Sequence, residues 1–454
     1  MSKVFYTARK TLRNYANGGN VLMLATALAL IVVNLPFLHD FYNGLWTHEI
    51  ALQVGGFNLF SHHGEPMSIM SFINDALMAV FFFSVGLEIK REILVGELSS
   101  FRQALLPIVA AIGGMGIPVL IFFIVGHGKD YLGGAAIPMA TDIAFSLGIL
   151  SMLGKRVPIG LKIFLTTLAV VDDIGGILVI ALFYSTHISY WMLLVAALLL
   201  VVLFIGGKLG VQSKIFYLGV GAFIWFLFLN AGIHPTIAGV LIAFCVPAKP
   251  VYPPKEFVRT IRRNISRFAS EDDERLVSRT ILSKDQMNWL KEIETASDKV
   301  ISPLQDMEDS LHPIVNYIVV PLFAFANAGI YFGDMNPASI VSGVSLAIIL
   351  GLVLGKFIGI FTFSWVCVKL GWAPMPEGTN WKQLAAVSVL GGIGFTVSLF
   401  IANLSFGTGN PYMSQLLDNA KLGILVASFL AGFLGWLFLN LTLPKEEADQ
   451  GTAE

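Results

Sequence analysis

Four aspartates lie inside long apolar stretches of the chain: Asp75, Asp142, Asp172 and Asp173. Lys356 lies near the middle of another such stretch. An Asp or Lys at the centre of a membrane helix costs about 2.5–3.5 kcal/mol on insertion scales. Ionisable residues kept against this cost are functional by default, in ion paths and proton relays. These five residues are therefore candidates for ion or proton chemistry within a membrane.

Asp172 and Asp173 are adjacent, in the string LAVVDDIGGI. Neighbouring side chains on an α-helix point about 100° apart, so the two carboxylates can face different partners while sharing one cavity. Like charges this close oppose simultaneous ionisation. Hard cations such as Na⁺ and Li⁺ prefer oxygen ligands, and Thr141 and Asp142 offer more of them. The set fits the exchange of a proton for a hard cation.

A purely structural role is the alternative for part of this set. Asp172 and Lys356 could form a buried ion pair that only fixes the packing of two helices. Such pairs are seldom better than apolar residues of similar volume, which weakens this interpretation.

The composition indicates the environment of these residues. Of 454 residues, 56% are hydrophobic and 13% are charged, against about 25% charged in soluble domains. The net charge of -1 gives no general attraction to nucleic acid. Cys245 and Cys367 both lie in apolar runs, which argues against a disulfide framework. The composition excludes a soluble enzyme, a disordered chain and a DNA-binding protein.

Twelve apolar stretches are candidates for crossing a membrane, which takes about 20 apolar residues. They predict an all-α polytopic membrane protein with twelve transmembrane helices. The stretches lie near 21–38, 68–88, 105–125, 135–151, 158–183, 191–207, 215–230, 232–247, 313–332, 340–368, 383–406 and 420–441. We divide the chain into helices one to eight (1–247), a cytoplasmic inserted segment (248–312), helices nine to twelve (313–441) and a cytoplasmic tail (442–454).

If twelve spans are assumed, loops that are rich in Lys and Arg alternate along the chain with loops that contain almost none. The N-terminus and every second loop after it carry the basic residues. Because basic loops stay in the cytoplasm, both termini are predicted to be cytoplasmic.

The fourth and eleventh spans are predicted to be discontinuous. Pro138 interrupts the fourth just before Thr141, and Gly391, Gly392 and Gly394 interrupt the eleventh. A pair of interrupted spans in corresponding halves points to a transporter site. Seven spans apart, they run in opposite directions, so spans 3–5 and 10–12 could form an inverted repeat. The alternative is that the glycines only allow close helix packing.

Helix ends exposed by such breaks carry partial charges, positive at N-termini and negative at C-termini. We expect Asp142 to compensate the N-terminal ends and Lys356 to compensate the C-terminal ends.

Five strings together resemble the NhaA family of sodium/proton antiporters: FINDALMAVFFFSVGLEIKREI, IPMATDIAFSLGIL, LAVVDDIGGI, LFAFANAG and GGIGFTVSLFIANLSFG. The resemblance covers the twelve spans in order, with the inserted segment as its main exception. It implies an electrogenic antiporter of the bacterial inner membrane that exchanges cytoplasmic Na⁺ or Li⁺ for external protons by alternating access. Its role would be pH and sodium homeostasis. Neither an enzyme activity nor a cofactor is implied.

The resemblance also implies a role for each matching residue. Asp172 and Asp173 would bind the transported Na⁺ and carry protons, with Asp173 as the principal ligand. Supporting roles fall to Thr141, Asp142, Lys356 and Asp75. Regulation by pH falls to residues near cytoplasmic span ends and to one outer histidine: Glu88, Lys90, Arg91, Glu92, Glu308, His312 and His234. The family forms homodimers through an extracytoplasmic β-hairpin, which 43–60 could supply.

Other functions were weighed against this one. An ion-coupled symporter with a similar inverted repeat is the closest alternative. A channel would show rings of like charges or a filter signature, and none is evident. No G-x-x-x-x-G-K-[ST] string for a nucleotide occurs, so ion gradients alone should drive transport, with membrane lipid as a further partner and no nucleic acid.

In the inserted segment, a run of basic residues comes first and a run of acidic residues follows it. Val258, Ile261 and Ile265 follow helical spacing among basic residues, which predicts a basic amphipathic helix on an anionic leaflet. Ser283 and Gln286 predict the cap of a second helix. A solvated linker without function is the alternative.

Overall fold

The computed structural model describes residues 18–51, 53–54, 57–58, 61–62, 65–185, 188–269, 282–333, 337–407 and 410–444. These residues are mostly helical, as the long apolar runs predict. The helices are α1 (Gly18–Asn34), α2 (His39–Thr47), α3 (Ile69–Val95), α4 (Phe101–Val125), α5 (Ile143–Met152), α6 (Ile159–Phe183), α7 (Tyr190–Lys208), α8 (Lys214–Ala231), α9 (Thr236–Cys245), α10 (Pro254–Ala269), α11 (Lys284–Val300), α12 (Pro303–Asn327), α13 (Gly343–Lys369), α14 (Trp381–Leu390), α15 (Phe395–Phe406) and α16 (Pro411–Thr442).

Within the described part of the chain, nine helical segments are long and apolar enough to cross a membrane. One of them, Leu132–Met152, consists of α5 and the two 3₁₀ turns before it. The number rises to eleven if two bent pairs each count as one span: α1 with α2, bent by 113°, and α14 with α15, bent by 41°. The protein is therefore a polytopic membrane protein whose membrane-spanning segments are α-helical. The apolar helix α9 is shorter, with 10 residues.

Short strands lie between α2 and α3. Antiparallel pairs join Glu49–Ile50 to Glu65–Ser68, Ser61–His62 to Glu65–Ser68, and Gln53–Val54 to Phe57–Asn58. The hairpin expected at 43–60 therefore starts later, because α2 continues to Thr47.

Glycines let α4 and α13 pack closely along their length. A Cβ atom at Gly359 would lie 2.1 Å from the carbonyl oxygen of Gly113, so only glycine fits there. About one helical turn earlier on α13, a Cβ atom at Gly355 would lie 2.8 Å from the Cα of Pro118. Since α4 also packs against α6, this contact fixes the position of α13 relative to the Asp172–Asp173 helix.

Three spans contain a π-helical turn, which inserts an extra residue and often marks a functional site. These turns are Ile73–Leu77 in α3, Val315–Val319 in α12 and Leu350–Gly355 in α13. The first contains Asp75, and the third ends immediately before Lys356.

The described residues of the inserted segment form α10, α11 and the first turns of α12, and α10 packs against α11. The predicted cap is confirmed: Ser283 Oγ accepts from the Gln286 amide at 3.2 Å, and Gln286 Oε1 accepts from the Ser283 amide at 2.9 Å. At the base of the pair, the Tyr252 amide donates to the Lys299 carbonyl at 3.0 Å. Val258 and Ile265 are more than half exposed on α10, as expected for a free amphipathic face.

Candidate functional site

The chain leaves helical geometry at two places that touch each other. One is 140–142, between a short 3₁₀ turn and α5, and the other is 391–394, between α14 and α15. The Asp142 amide donates to the Ile393 carbonyl at 2.6 Å. The prolines and glycines of the sequence explain why helical hydrogen bonding stops there.

Asp142 lies between the N-termini of two helices. Its Oδ1 accepts from the Phe145 amide of α5 at 2.9 Å, and its Oδ2 accepts from the Thr396 amide of α15 at 3.1 Å. Unpaired N–H groups there carry positive partial charge, so a carboxylate stabilises both ends. The expectation that Asp142 compensates N-terminal ends is confirmed.

Thr396 is a contact that the sequence analysis missed. Its hydroxyl donates to Asp142 Oδ2 at 2.7 Å, in addition to the bond from its amide. The available signal was a hydroxyl residue two positions after the last glycine of the run, in GGIGFTVS.

Lys356 and Asp172 form an ion pair that is wholly buried, with Lys356 Nζ donating to Asp172 Oδ2. Nζ also donates to Thr141 Oγ1 at 2.8 Å. That hydroxyl lies 2.7 Å from Asp172 Oδ2 and 2.9 Å from the Gly391 carbonyl, and its single proton can serve either. The expected pairing of Lys356 with Asp172 is therefore present. The expectation that Lys356 compensates helix C-terminal ends was wrong, because a carboxylate and a hydroxyl accept its hydrogen bonds.

Asp173 is also buried but has no such partner. Its Oδ1, like Asp172 Oδ1, accepts no hydrogen bond from the residues that the structure describes. Asp173 lines a cavity of about 330 Å³ together with Thr141, Asp142, Thr396 and Glu88. The wall thus offers carboxylate and hydroxyl oxygens, the ligands that hard cations prefer. This arrangement can hold either a proton or a desolvated cation.

A model of the family described as Na⁺/H⁺ antiporter 1 matches residues 9–439, nearly the whole chain. The chain is 53% identical over 445 residues to the Na(+)/H(+) antiporter NhaA of Phocaeicola vulgatus, and the match covers 98% of each chain. It is 55% identical over 427 residues to that of Bacteroides fragilis, covering 94% of this chain and 96% of the relative. The corresponding protein of Bacteroides thetaiotaomicron is 51% identical over 442 residues, covering 96% and 99%.

The chain belongs to the Na⁺/H⁺ antiporter 1 family. The resemblance inferred from the five sequence strings is thereby confirmed, and so is Na⁺/H⁺ antiport as the activity. The insert is included in the matched length.

In this antiporter, charged residues near the C-terminal end of α3 come together with an acid near the N-terminal end of α12. Arg91 Nη1 lies 2.6 Å from Glu308 Oε1, and Arg91 Nη2 lies 3.0 Å from Glu92 Oε1. Glu88 and the exposed His312 line the cavity that also contains Asp173. Of the expected group, Glu88 and His312 therefore line the cavity at Asp173, while Arg91, Glu92 and Glu308 pair with one another close by.

Lys90 does not join that cluster. Its Nζ donates to the Phe244 carbonyl at 2.7 Å and to the Val246 carbonyl, at the end of α9. A lysine in this place satisfies carbonyls that the helix end leaves without an intrahelical donor. On α3 its side chain points about 100° away from that of Arg91, which the sequence adjacency concealed.

Asp75 and His234 form a separate group of the antiporter. His234 Nε2 lies 3.6 Å from Asp75 Oδ1, and its ring meets that of Phe400 edge-on at 5.1 Å. The Trp225 indole donates to the Asp75 carbonyl at 3.2 Å. Neither side chain lines the cavity at Asp173.

Proposed function

We propose that Na⁺ and H⁺ exchange at Asp173, with Asp172 as the second proton carrier. One observation carries this proposal: of two adjacent buried acids, Asp172 is neutralised by Lys356 while Asp173 faces the cavity without a cation. A Na⁺ that binds Asp173 competes with its proton. It also adds positive charge beside Lys356 and so favours loss of a second proton from the Lys356–Asp172 pair. Thr141 and Asp142 hold the non-helical segments 140–142 and 391–394 together and supply further oxygen ligands.

Loss of more than one proton per Na⁺ makes the cycle electrogenic. Cytoplasmic Na⁺, or Li⁺, leaves through alternating access to the site, in service of pH and sodium homeostasis. Glu88, Glu92 and Glu308 regulate entry by their protonation, in concert with Arg91 and His312. Glu88 and His312 line the cavity, and Arg91 pairs with Glu92 and Glu308 close to Glu88, which supports this role. The contact of His234 with Asp75 supports a second pH-dependent group.

The same proposal extends to the architecture. Nine long apolar helices, together with α1, the short α9 and the α14–α15 pair, make twelve spans, of which the fourth and eleventh are discontinuous. Spans 3–5 and 10–12 are then inverted repeats, and both termini are cytoplasmic in the bacterial inner membrane. The strands following α2 are the proposed contact of a homodimer. The division at 247, 312 and 441 belongs to this proposal, with the boundary at 312 lying within α12 and that at 441 within the last turn of α16.

The test is collapse of a pH gradient in proteoliposomes, with Na⁺, Li⁺ and K⁺ added separately. We expect Na⁺ and Li⁺ to discharge the gradient, and to do so faster when a potassium diffusion potential favours net movement of positive charge in the direction in which the protons move. A symporter would move proton and Na⁺ in one direction. A rate that ignores the imposed potential would contradict the electrogenic cycle.

A further inference from the structure

Three asparagine side chains, Asn327 fully buried and the other two half-buried, form a chain of hydrogen bonds that joins three helices. Asn403 Nδ2, on α15, donates to Asn327 Oδ1 on α12 at 2.9 Å. Asn327 Nδ2 donates in turn to Asn74 Oδ1 on α3 at 2.9 Å. Asn327 has no exposed surface. The chain therefore ties α15, which follows the break at 391–394, to two helices that carry no break of that kind.

These amides lie on the side of the site that is opposite the cavity. Asn403 follows Thr396 by seven residues on α15, or about 10 Å along the helix. Asn74 precedes Glu88, which lines the cavity, by 14 residues, or about 21 Å along α3. None of the three asparagines lines the cavity. In the proposed orientation they lie toward the outside.

Phe400 fills the space between the site and the asparagines. It lies one turn beyond Thr396 on α15 and is wholly buried. Three rings surround it, with centroids 5.7 Å away for Phe82, 6.4 Å for Phe323 and 5.1 Å for His234. The site thus has an open approach on one side and a packed apolar plug, backed by amides, on the other.

We propose that the Asn74–Asn327–Asn403 chain is a latch that keeps the outer approach to Asp173 closed in this state. The inference rests on the proposed function and deepens it. When α15 moves, Asn403 leaves Asn327, Phe400 leaves its aromatic pocket, and the outside gains access to the site. Buried amides without partners are unfavourable, so this opening requires water to enter and replace their hydrogen bonds. Neutral amides suit the task because they neither titrate nor hold a passing cation as a carboxylate would.

The test is a reversible bridge across the latch. In a protein with Cys245→Ser and Cys367→Ser, the pair Asn327→Cys and Asn403→Cys is joined by a short bis-thiosulfonate reagent. We expect loss of Na⁺/H⁺ exchange on bridging and recovery on reduction, because the two positions must separate in every cycle. Undiminished exchange by the bridged protein would overturn the latch.

A matched bridge serves as control. Asn34 Nδ2 donates to the Ile330 carbonyl at 2.8 Å, which ties α1 to the end of α12 without involving α15. Bridging Asn34→Cys to Ile330→Cys should leave exchange intact. If this bridge also stops exchange, the loss does not report separation at Asn403, and the latch assignment fails.

A second measurement applies if the double variant does not fold. Asn403→Cys alone, in exchanging vesicles, should react with a membrane-impermeant maleimide from the outer side. Reaction from the cytoplasmic side only, or no reaction, would overturn the proposal. The parallel variant Asp173→Asn distinguishes failure of the latch proposal from failure of the proposed ion site.

If Asp173→Asn is inactive while the bridged protein is active, only the latch is wrong. If it exchanges normally, the proposed ion site itself is wrong.

Discussion

Lys356 and Asp172 are both wholly buried and bonded to each other, whereas Asp173, the next residue of α6, meets no cation among the described residues. Removing two charges from water is costly, and mutual attraction with added hydrogen bonds offsets that cost. Thr141 supplies such a bond. At the scale of residues, the site therefore consists of a compensated acid beside an uncompensated one.

Lys356→Ala should destabilise the protein by about 3–5 kcal/mol, because it leaves Asp172 buried without its partner. Thermal unfolding in detergent measures this loss. Lys162→Ala is the control, since Lys162 lies near the start of α6, is half-buried and has no ion pair in the described structure. Adding Asp172→Asn to Lys356→Ala should recover part of the stability. A double variant no more stable than Lys356→Ala would argue against a coupled pair.

Glu308→Gln should shift the pH profile of exchange while keeping the rate at the optimum. The reason is that Glu308 pairs with Arg91, one helical turn from Glu88, so its charge influences this acid of the cavity wall. The control is Asp306→Asn, two residues away, which removes an exposed pair with Lys214 at 2.7 Å. Exchange is measured from pH 6 to 9 in vesicles, a span of about 3 units around neutrality that includes histidine titration. Equal loss of rate at every pH would indicate a structural role.

The sequence predicted the acids and the lysine of the site because charges within apolar runs stand out. It could not predict Thr396, since threonine is common in membrane helices and only the fold brings it to Asp142. Lys90 was placed with Arg91 because they are adjacent, yet the helix turns their side chains to different neighbours.

At the scale of helices, the contact between α4 and α13 is predicted to tolerate no side chain at Gly359. A Cβ there would lie 2.1 Å from the Gly113 carbonyl oxygen, so the helices would have to separate. We expect Gly359→Ala to lower stability by about 1–3 kcal/mol, as overpacking typically does. Gly116→Ala on α4 is the control, since its Cβ would meet nothing within 4 Å. Equal unfolding temperatures for the two variants would contradict the contact.

The inserted helices carry a second prediction at this scale. Arg259 and Arg262 are exposed on α10, beside the exposed Val258 and Ile265, a combination typical of a membrane-surface helix. Replacing both arginines by Gln should weaken the dependence of exchange on anionic lipid, by about 1 kcal/mol of surface attraction per charge. The control replaces Lys284 and Lys291, two exposed charges of α11, by Gln. Exchange is compared in vesicles with and without anionic lipid. If anionic lipid affects exchange equally in both variants, α10 and α11 are solvated and do not lie on the membrane surface.

Long apolar runs predicted most of the helices, and Pro138 with the glycine run predicted both breaks. The π-helical turns and α2 were not predicted. A π turn changes no hydropathy pattern, and it forms where tertiary packing favours one extra residue. The bend of 113° between α1 and α2 likewise depends on contacts with distant residues, such as the bond of the Tyr42 hydroxyl to the Phe325 carbonyl.

At the scale of the whole molecule, helices from distant parts of the chain enclose the buried carboxylates of Asp142, Asp172 and Asp173. The approach on one side is a cavity bordered by ionisable groups, and the opposite side is packed. A fold of this kind exposes the site to one side at a time, which antiport requires. The identity of the Na⁺ ligand is therefore the claim on which the rest depends.

The most direct measurement is Na⁺-driven proton exchange by Asp173→Asn in proteoliposomes, compared with Asp418→Asn, which neutralises an acid of α16 outside the cavity. Asparagine keeps the volume of the side chain but removes its charge and its titration. We predict that Asp173→Asn remains folded and loses exchange at every Na⁺ concentration, while Asp418→Asn retains it. Near-normal exchange by Asp173→Asn would contradict the account.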